Sequence, residues 1–138
     1  MKMTWIDYLG NKLAVDSVYS AAPSLVDVRL HEVRLHQDGP RVSLRLDLNE
    51  FPENPPRKWA VGKFNRTQLT LVLIDISDFQ MTGWSLNNIG DLTFDKCNVG
   101  IRVKFAGPSL RIECTARFIE VEKISGYCDS DAITRQTG

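Results

Sequence analysis

Residues 28–48 read VRLHEVRLHQDGPRVSLRLDL, and this stretch decides the fold. On both sides of the turn cluster Gln37-Asp38-Gly39-Pro40, apolar and polar side chains alternate with a period of two, which is typical of half-buried strands. The stretch therefore predicts an antiparallel hairpin. The apolar row changes phase near His31, and one extra residue there restores the register, so we predict a β-bulge at that point. The predicted cross-strand partners are Leu35 with Val42, Val33 with Leu44, Glu32 with Arg45, Leu30 with Leu46, and Arg29 with Asp47.

A second hairpin is predicted around the turn residues Gly107-Pro108. The segments Ile101–Phe105 and Leu110–Cys114 alternate apolar and polar residues on either side of this turn. An even-length loop would place all the apolar residues on one face of the hairpin. The resulting pairs are Phe105 with Leu110, Val103 with Ile112, Ile101 with Cys114, Arg102 with Glu113, and the like-charge pair Lys104 with Arg111.

The segment between the hairpins, residues 68–76, reads QLTLVLIDI and is largely apolar at both odd and even positions. This composition predicts a strand that is covered on both faces. Leu92–Phe94 predicts a further short strand. Helical spacing of apolar residues between Trp5 and Leu13 predicts a short N-terminal helix, with a second turn over Val15–Tyr19. We therefore expect a mainly β protein, either an antiparallel β-sandwich or a strongly curled sheet of six to eight strands with a short N-terminal helix.

The charges of the chain are balanced. The 138 residues include 17 Lys+Arg and 17 Asp+Glu, so the formal net charge is zero. Nucleic-acid binders usually carry a basic excess, and this balance argues against nucleic acid as a partner. A chain of this length buries roughly 70% of its surface on folding, enough for a core without disulfides or metal. We expect one globular domain over residues 1–128 and a polar, mobile tail over residues 129–138.

Apolar runs in the sequence are short. The longest, Leu71–Ile74, is far too short for a secretory signal or a membrane span. We therefore expect a cytoplasmic protein with no membrane partner, and the oligomeric state stays open. The three cysteines Cys97, Cys114 and Cys128 lack CxxC spacing, so we expect reduced thiols, with one disulfide as the alternative. Cys114 continues an alternating apolar row and is expected in the core.

Two histidines are the candidates for metal or nucleophile chemistry. His31 and His36 have Asp27, Glu32 and Asp38 nearby, which leaves a metal site open as an alternative. Their odd spacing directs them to opposite faces of a regular strand, so histidines at the surface or rim fit the pattern better. Neither lies in a nucleophile motif, and the sequence has no phosphate-binding glycine motif. We expect no catalytic residue, no metal and no cofactor.

The proline-rich segment of residues 50–59 contains Trp59 beside Arg57 and Lys58. Its three prolines forbid a central strand. In one interpretation, Trp59 plugs an end of the core while the two cations are solvated beside it. In the other, the three residues form a recognition loop, because aromatic and basic residues are enriched at binding hot spots.

Several structural motifs occur together between residues 5 and 122. They are Tyr19–Leu25 (YSAAPSL), the strand ending Leu46-Asp47-Leu48 followed by Phe51-Pro52, Pro55–Trp59 (PPRKW), Leu69–Asp75 and Gly83-Trp84. With these motifs the sequence resembles the bacterial immunity protein 50 family. The resemblance implies a cytoplasmic, non-enzymatic antidote from a polymorphic-toxin system, which binds and neutralises a partner protein toxin. It transfers no catalytic residues and does not identify the toxin.

A toxin-binding function directs attention to local charge. Many toxins are basic nucleases, and their inhibitors often meet them with acidic groups. The neutral chain as a whole does not do this, but a local acidic edge could. The candidate partner-binding residues are Arg57, Lys58, Trp59, Glu53, Asp75 and Asp78.

A second hypothesis comes from another class of function. The chain could be a small-molecule-binding or enzymatic β-domain. Its pocket would be lined by the aromatic residues Trp59, Trp84 and Phe79.

Overall fold

The computed structural model describes residues 4–129. Over these residues, six antiparallel strands form one curled sheet that closes into a barrel. The strands are β1 (Val28–His36), β2 (Arg41–Asp47), β3 (Arg66–Thr82), β4 (Ile89–Cys97), β5 (Gly100–Ala106) and β6 (Arg111–Tyr127). The helical elements are a 3₁₀ helix (Trp5–Tyr8), α1 (Leu13–Asp16) and α2 (Arg57–Val61).

The strands follow the order β1-β2-β3-β6-β5-β4 around the barrel. The ring closes where β1 meets β4, through the pairs Val28 with Gly90 and Arg29 with Ile89. The prediction of a mainly β fold is thereby confirmed, and of the two expected architectures the strongly curled sheet is the one found. The predicted N-terminal helix is a 3₁₀ helix that ends at Tyr8, and the second helical turn comes earlier than expected, at α1.

The first hairpin has the predicted register at every pair that was named. The register shifts between Leu30 and Glu32, which places the predicted bulge at His31. The bulge keeps Leu30 and Val33 on the inner face although their spacing is odd. Glu32 and Arg45, predicted as partners, form an ion pair at 3.5 Å.

The predicted register of the second hairpin is wrong by two residues. Phe105 pairs with Ile112 instead of Leu110, and Lys104 pairs with Glu113 instead of Arg111. The Gly107 N–H donates to the Leu110 carbonyl at 2.9 Å, which leaves only Pro108 and Ser109 in the loop. Both even-length loops keep the apolar residues on one face, so alternation cannot choose between them. Moving the turn by one residue, from Gly107-Pro108 to Pro108-Ser109, also removes the like-charge pair, because Glu113 contacts Lys104 at 3.4 Å and Arg102 at 3.3 Å.

The expectation that residues 68–76 are covered on both faces is wrong. Leu69, Leu71 and Leu73 are fully buried inside the barrel, whereas Val72 and Ile74 on the other face are only half-buried. A closed sheet has one interior, and in the described part of the chain no second layer lies over this outer face. The odd positions from 69 to 73 are apolar because they fill the barrel interior. The apolar residues at even positions, Val72 and Ile74, lie on a half-exposed outer face.

The barrel interior forms one apolar core to which all six strands contribute. Cys114 lies in it with no exposed surface, as predicted, and burial raises the pKa of its thiol to about 11. Cys97, Cys114 and Cys128 are free in this structure. Of the predicted mobile tail, residues 130–138 lie outside the described residues, whereas the Asp129 N–H donates to Asn65 Oδ1 at 2.7 Å.

No helix among residues 4–129 is long and apolar enough to cross a membrane.

Candidate interaction site

Trp59 anchors the connection between β2 and β3. It lies in α2, is 8% exposed and packs at a tilt against Phe51, with 5.9 Å between ring centroids. On its other side lies Gly126 of β6, where a Cβ would come within 2.7 Å of the indole ring. The absence of a side chain at this glycine therefore lets the ring rest on the β6 backbone. This geometry agrees with the interpretation of Trp59 as a plug.

The charged candidates near Trp59 point into solvent. Arg57 and Lys58 occupy the first turn of α2 and are exposed, as is Glu53 in the preceding loop. Glu53 also lines a shallow cleft of about 440 Å³ together with Tyr19 and Glu50. These three charged side chains are accessible to a partner, whereas the indole of Trp59 offers little surface.

The acidic candidates lie elsewhere, at two kinks of β3. Asp75 and Asp78 have φ of 56° and 53°, in the left-handed region that Asp tolerates better than most residues. Asp75 contacts Arg117 at 3.6 Å, and Asp78 is exposed. At a rise of about 3.3 Å per residue, Asp75 is roughly 30 Å along the strand from Arg66, where α2 joins β3. The structure therefore divides the six predicted residues between two separate surfaces.

The two kinks accompany the end of the pairing between β2 and β3. The last paired residue of β3 on this side is Ile74, which opposes Arg41, and the Ile76 N–H then donates to the carbonyl of Pro40 at 3.0 Å. β2 begins at Arg41, so it has no further residue to pair with β3 beyond Ile74. Beyond this point, β3 continues along β6 as far as Thr82. Within residues 4–129, no strand pairs with the other side of Ser77–Thr82, which we call the open edge.

The corresponding edge of β6 is covered. After Ala116, β6 has no β5 partner, and the N-terminal segment lies along it instead. The Gly10 N–H donates to the Ile119 carbonyl at 2.9 Å. The Asn11 side-chain amide then makes two bonds of 2.8 Å with Val121, donating to its carbonyl and accepting from its N–H. An unpaired strand edge is a template on which another chain can pair. Here the protein's own N-terminal segment occupies the edge of β6.

A buried carboxylate, Asp47, joins four strands on the outer face of the barrel. It contacts His31 Nε2 at 2.8 Å and accepts hydrogen bonds from the Tyr127 hydroxyl and, at 3.3 Å, from Gln68 Nε2. Burial, and then the bond to Asp47, raise the pKa of Tyr127 well above its usual value, so the phenol stays a donor. In this cluster the carboxylate has three partners, which fixes β1, β2, β3 and β6 relative to one another.

This cluster was not predicted from the sequence. Asp47 was assigned to Arg29, which is indeed its register partner, but the polar contact is with His31. The predicted bulge could have indicated the contact between His31 and Asp47, because an extra residue at His31 turns that side chain to the outer face beside Asp47. Across residues 4–129, no group of three or more His, Cys, Asp or Glu side chains is arranged to hold a metal ion.

The aromatic pocket of the second hypothesis is not assembled. Trp59 and Trp84 flank opposite ends of the seventeen-residue β3. Phe79 packs against the barrel core, whereas Trp84 is 48% exposed in the loop after Gly83. The three side chains therefore do not line one cavity.

The comparisons with known proteins give one match. A model of the family described as Immunity protein 50 matches residues 11–127, which include all six strands and Asn11, the residue bonded to Val121. No curated protein and no solved structure matches the chain. Since the match spans most of the chain, the protein belongs to the Immunity protein 50 family.

Proposed function

We propose that this protein is an immunity protein that binds a partner protein toxin in the cytoplasm and neutralises it without catalysing a reaction. The observation that carries the proposal is the family match over residues 11–127. The match covers the complete barrel and not a fragment of it, so the whole fold is the unit that the family shares.

The charge distribution supports recognition through local surfaces. With a net charge of zero, the molecule has little long-range field to steer a charged partner. Several charges are also neutralised within the sheet, for example Glu32 by Arg45 and Glu113 by Lys104 and Arg102. Contact with the toxin is therefore expected at exposed side chains and at unpaired backbone.

Co-expression tests the proposal. The toxin encoded next to this gene is expressed alone, with this protein, or with an immunity protein of another family as the control. We expect growth to be restored only by this protein, and the pair to co-purify as a stable complex. If the pair neither associates nor restores growth, the proposal is wrong.

A titration separates binding from catalysis. Purified protein is added to purified toxin, and the remaining toxin activity is measured against the molar ratio. A stoichiometric inhibitor abolishes the activity at a fixed ratio, and longer incubation does not lower that ratio. An enzyme that modifies the toxin or its product would act at small fractions of that ratio, with an effect that grows with time, which would contradict the non-enzymatic proposal.

A further inference from the structure

The open edge Ser77–Thr82 offers hydrogen-bonding groups as well as side chains. The Gly107 N–H donates to the Leu110 carbonyl, so Leu110 directs its backbone groups toward β5. Backbone direction alternates along a strand, so Ile112 also faces β5. Ile112 is the register partner of Met81. The N–H and C=O of Met81 must therefore point away from β6, into the open edge.

A second residue of β3 confirms this alternation. Ile76 is the register partner of Ala116, which also faces β5 by the same count. The Ile76 N–H does point away from β6, since it donates to Pro40 at 3.0 Å. Pro40 thus accepts the bond from Ile76 on this side of β3. The register shift between Ser77 and Gln80 leaves the direction of the intervening backbone groups unassigned, so Met81 is the next residue whose backbone groups can be assigned to the open edge.

Exposed apolar side chains flank this edge. Met81 is 39% exposed, Trp84 is 48% exposed and Leu86 is 97% exposed. Exposed apolar side chains beside unpaired backbone are typical of sites where an extended segment adds a strand. Asp78, at the kink, forms no ion pair with any residue of the described range 4–129. The edge therefore fits a segment that brings a basic side chain to Asp78 and an apolar one to Met81.

We infer that the open edge is the docking site for the toxin, which adds an extended segment of its own chain as a strand against Ser77–Thr82. This inference rests on the proposed function and deepens it. The covered edge of β6 supports it, because the N-terminal segment and Asn11 block that edge, while no strand among residues 4–129 pairs with the edge of β3. Main-chain bonds provide affinity at such a site, and the flanking side chains provide specificity.

Two substitutions of one residue test the inference. Met81→Pro removes the outward N–H and leaves the β3–β6 bonds intact, since those involve Gln80 and Thr82. Met81→Ala removes the same side chain but keeps the N–H, and is the matched control. With the purified toxin of the co-expression experiment, we expect Met81→Pro to bind about tenfold more weakly than Met81→Ala. Urea denaturation of both variants establishes that they fold.

Hydrogen exchange of the unmodified protein provides a measurement that needs no variant. The Met81 amide should exchange more slowly in the complex with toxin than in the free protein, whereas the amides of Gln80 and Val121, already bonded, should change little. Asp78→Asn removes the negative charge and keeps a residue type that tolerates the left-handed backbone. It should weaken binding of the toxin at low salt and weaken it less at high salt, because salt screens the attraction between Asp78 and a basic side chain.

Three results would overturn the inference. A complex that forms with unchanged exchange over residues 77–82, and with equal affinities for the two Met81 variants, would leave the proposed function standing and move the docking site elsewhere. A free protein that is a dimer, and that Met81→Pro but not Met81→Ala makes monomeric, would assign the edge to self-association. Absence of any complex would contradict the proposed function and the inference with it.

Discussion

Leu71 and Val72 are neighbours on β3 that face opposite sides of the sheet. Leu71 is fully buried inside the barrel, whereas Val72 is half-buried outside it. Leu71→Ala should lower the free energy of unfolding by about 2–5 kcal/mol, because it leaves a cavity in a packed core. Val72→Ala, the control, should cost less than about 1 kcal/mol. Chemical denaturation measures both values, and equal costs would contradict the assignment of a single covered face.

Tyr127 is one of three partners of the buried Asp47. Tyr127→Phe removes the donor and leaves a buried carboxylate short of one hydrogen bond, which should cost about 1–3 kcal/mol of stability. Tyr8→Phe is the control, because Tyr8 makes an edge contact with Phe94 and no hydroxyl bond within residues 4–129. Denaturation at neutral pH compares the two variants, and an equal effect would mean that the Asp47 cluster adds no stability.

At the scale of elements, the N-terminal segment acts as the cover of β6. Asn11 reproduces with one side chain the two bonds that a neighbouring strand would make with Val121. Asn11→Ala should cost about 1–2 kcal/mol and should speed hydrogen exchange at the Val121 amide. The exposed Asn87→Ala is the control. Unchanged protection at Val121 would show that Leu9 and Gly10 hold the segment in place without Asn11.

The two hairpins show what alternation can and cannot predict. In the first, the phase change at His31 leaves one position for the bulge, so the register follows from the residues themselves. In the second, turns at Gly107-Pro108 and at Pro108-Ser109 keep the same faces, and the choice depends on the Gly107–Leu110 bond and on the ion pairs of Glu113. Two registers that differ by two residues place the same side chains on each face of the sheet. They differ only in which residues are cross-strand partners.

At the scale of the whole molecule, closure of the barrel depends on a short contact between β1 and β4. Besides the pairs at Val28 and Arg29, the Leu30 N–H donates to the Asn88 carbonyl at 2.8 Å. Gly90 lies at this contact, and a Cβ there would come within 2.5 Å of the Ala106 carbonyl oxygen. The close approach of the β5 backbone to Gly90 therefore needs a residue without a side chain at this position.

Gly90→Ala should reduce the free energy of unfolding by at least about 2 kcal/mol, because backbone on β5 must move to make room. Gly10→Ala is the control, since its added Cβ would meet only the flexible end of Glu120. Thermal unfolding followed by circular dichroism measures both. If the two variants unfold at the same temperature, the close approach of β5 to Gly90 is not a constraint on the fold.

Local patterning was enough to identify the class of fold, the first hairpin with its bulge, and the burial of Cys114. It also carried the family resemblance, which the match over residues 11–127 confirms. These features depend on residues that are close in sequence or on motifs of a few residues. The candidate charges at Arg57, Lys58 and Asp78 could be named from composition, and the structure shows them exposed on two separate surfaces.

Tertiary structure alone decided how the sheet closes and which of its edges stays free. A strand sequence records which side chain faces inward, but it does not record which neighbour takes its backbone bonds. The open edge at Ser77–Thr82 exists because β2 begins at Arg41, opposite Ile74, and has no residue that could pair with the rest of β3, while a contact between residues about 110 positions apart brings Asn11 onto Val121. Such long-range pairings are a property of the closed ring and not of any segment within it.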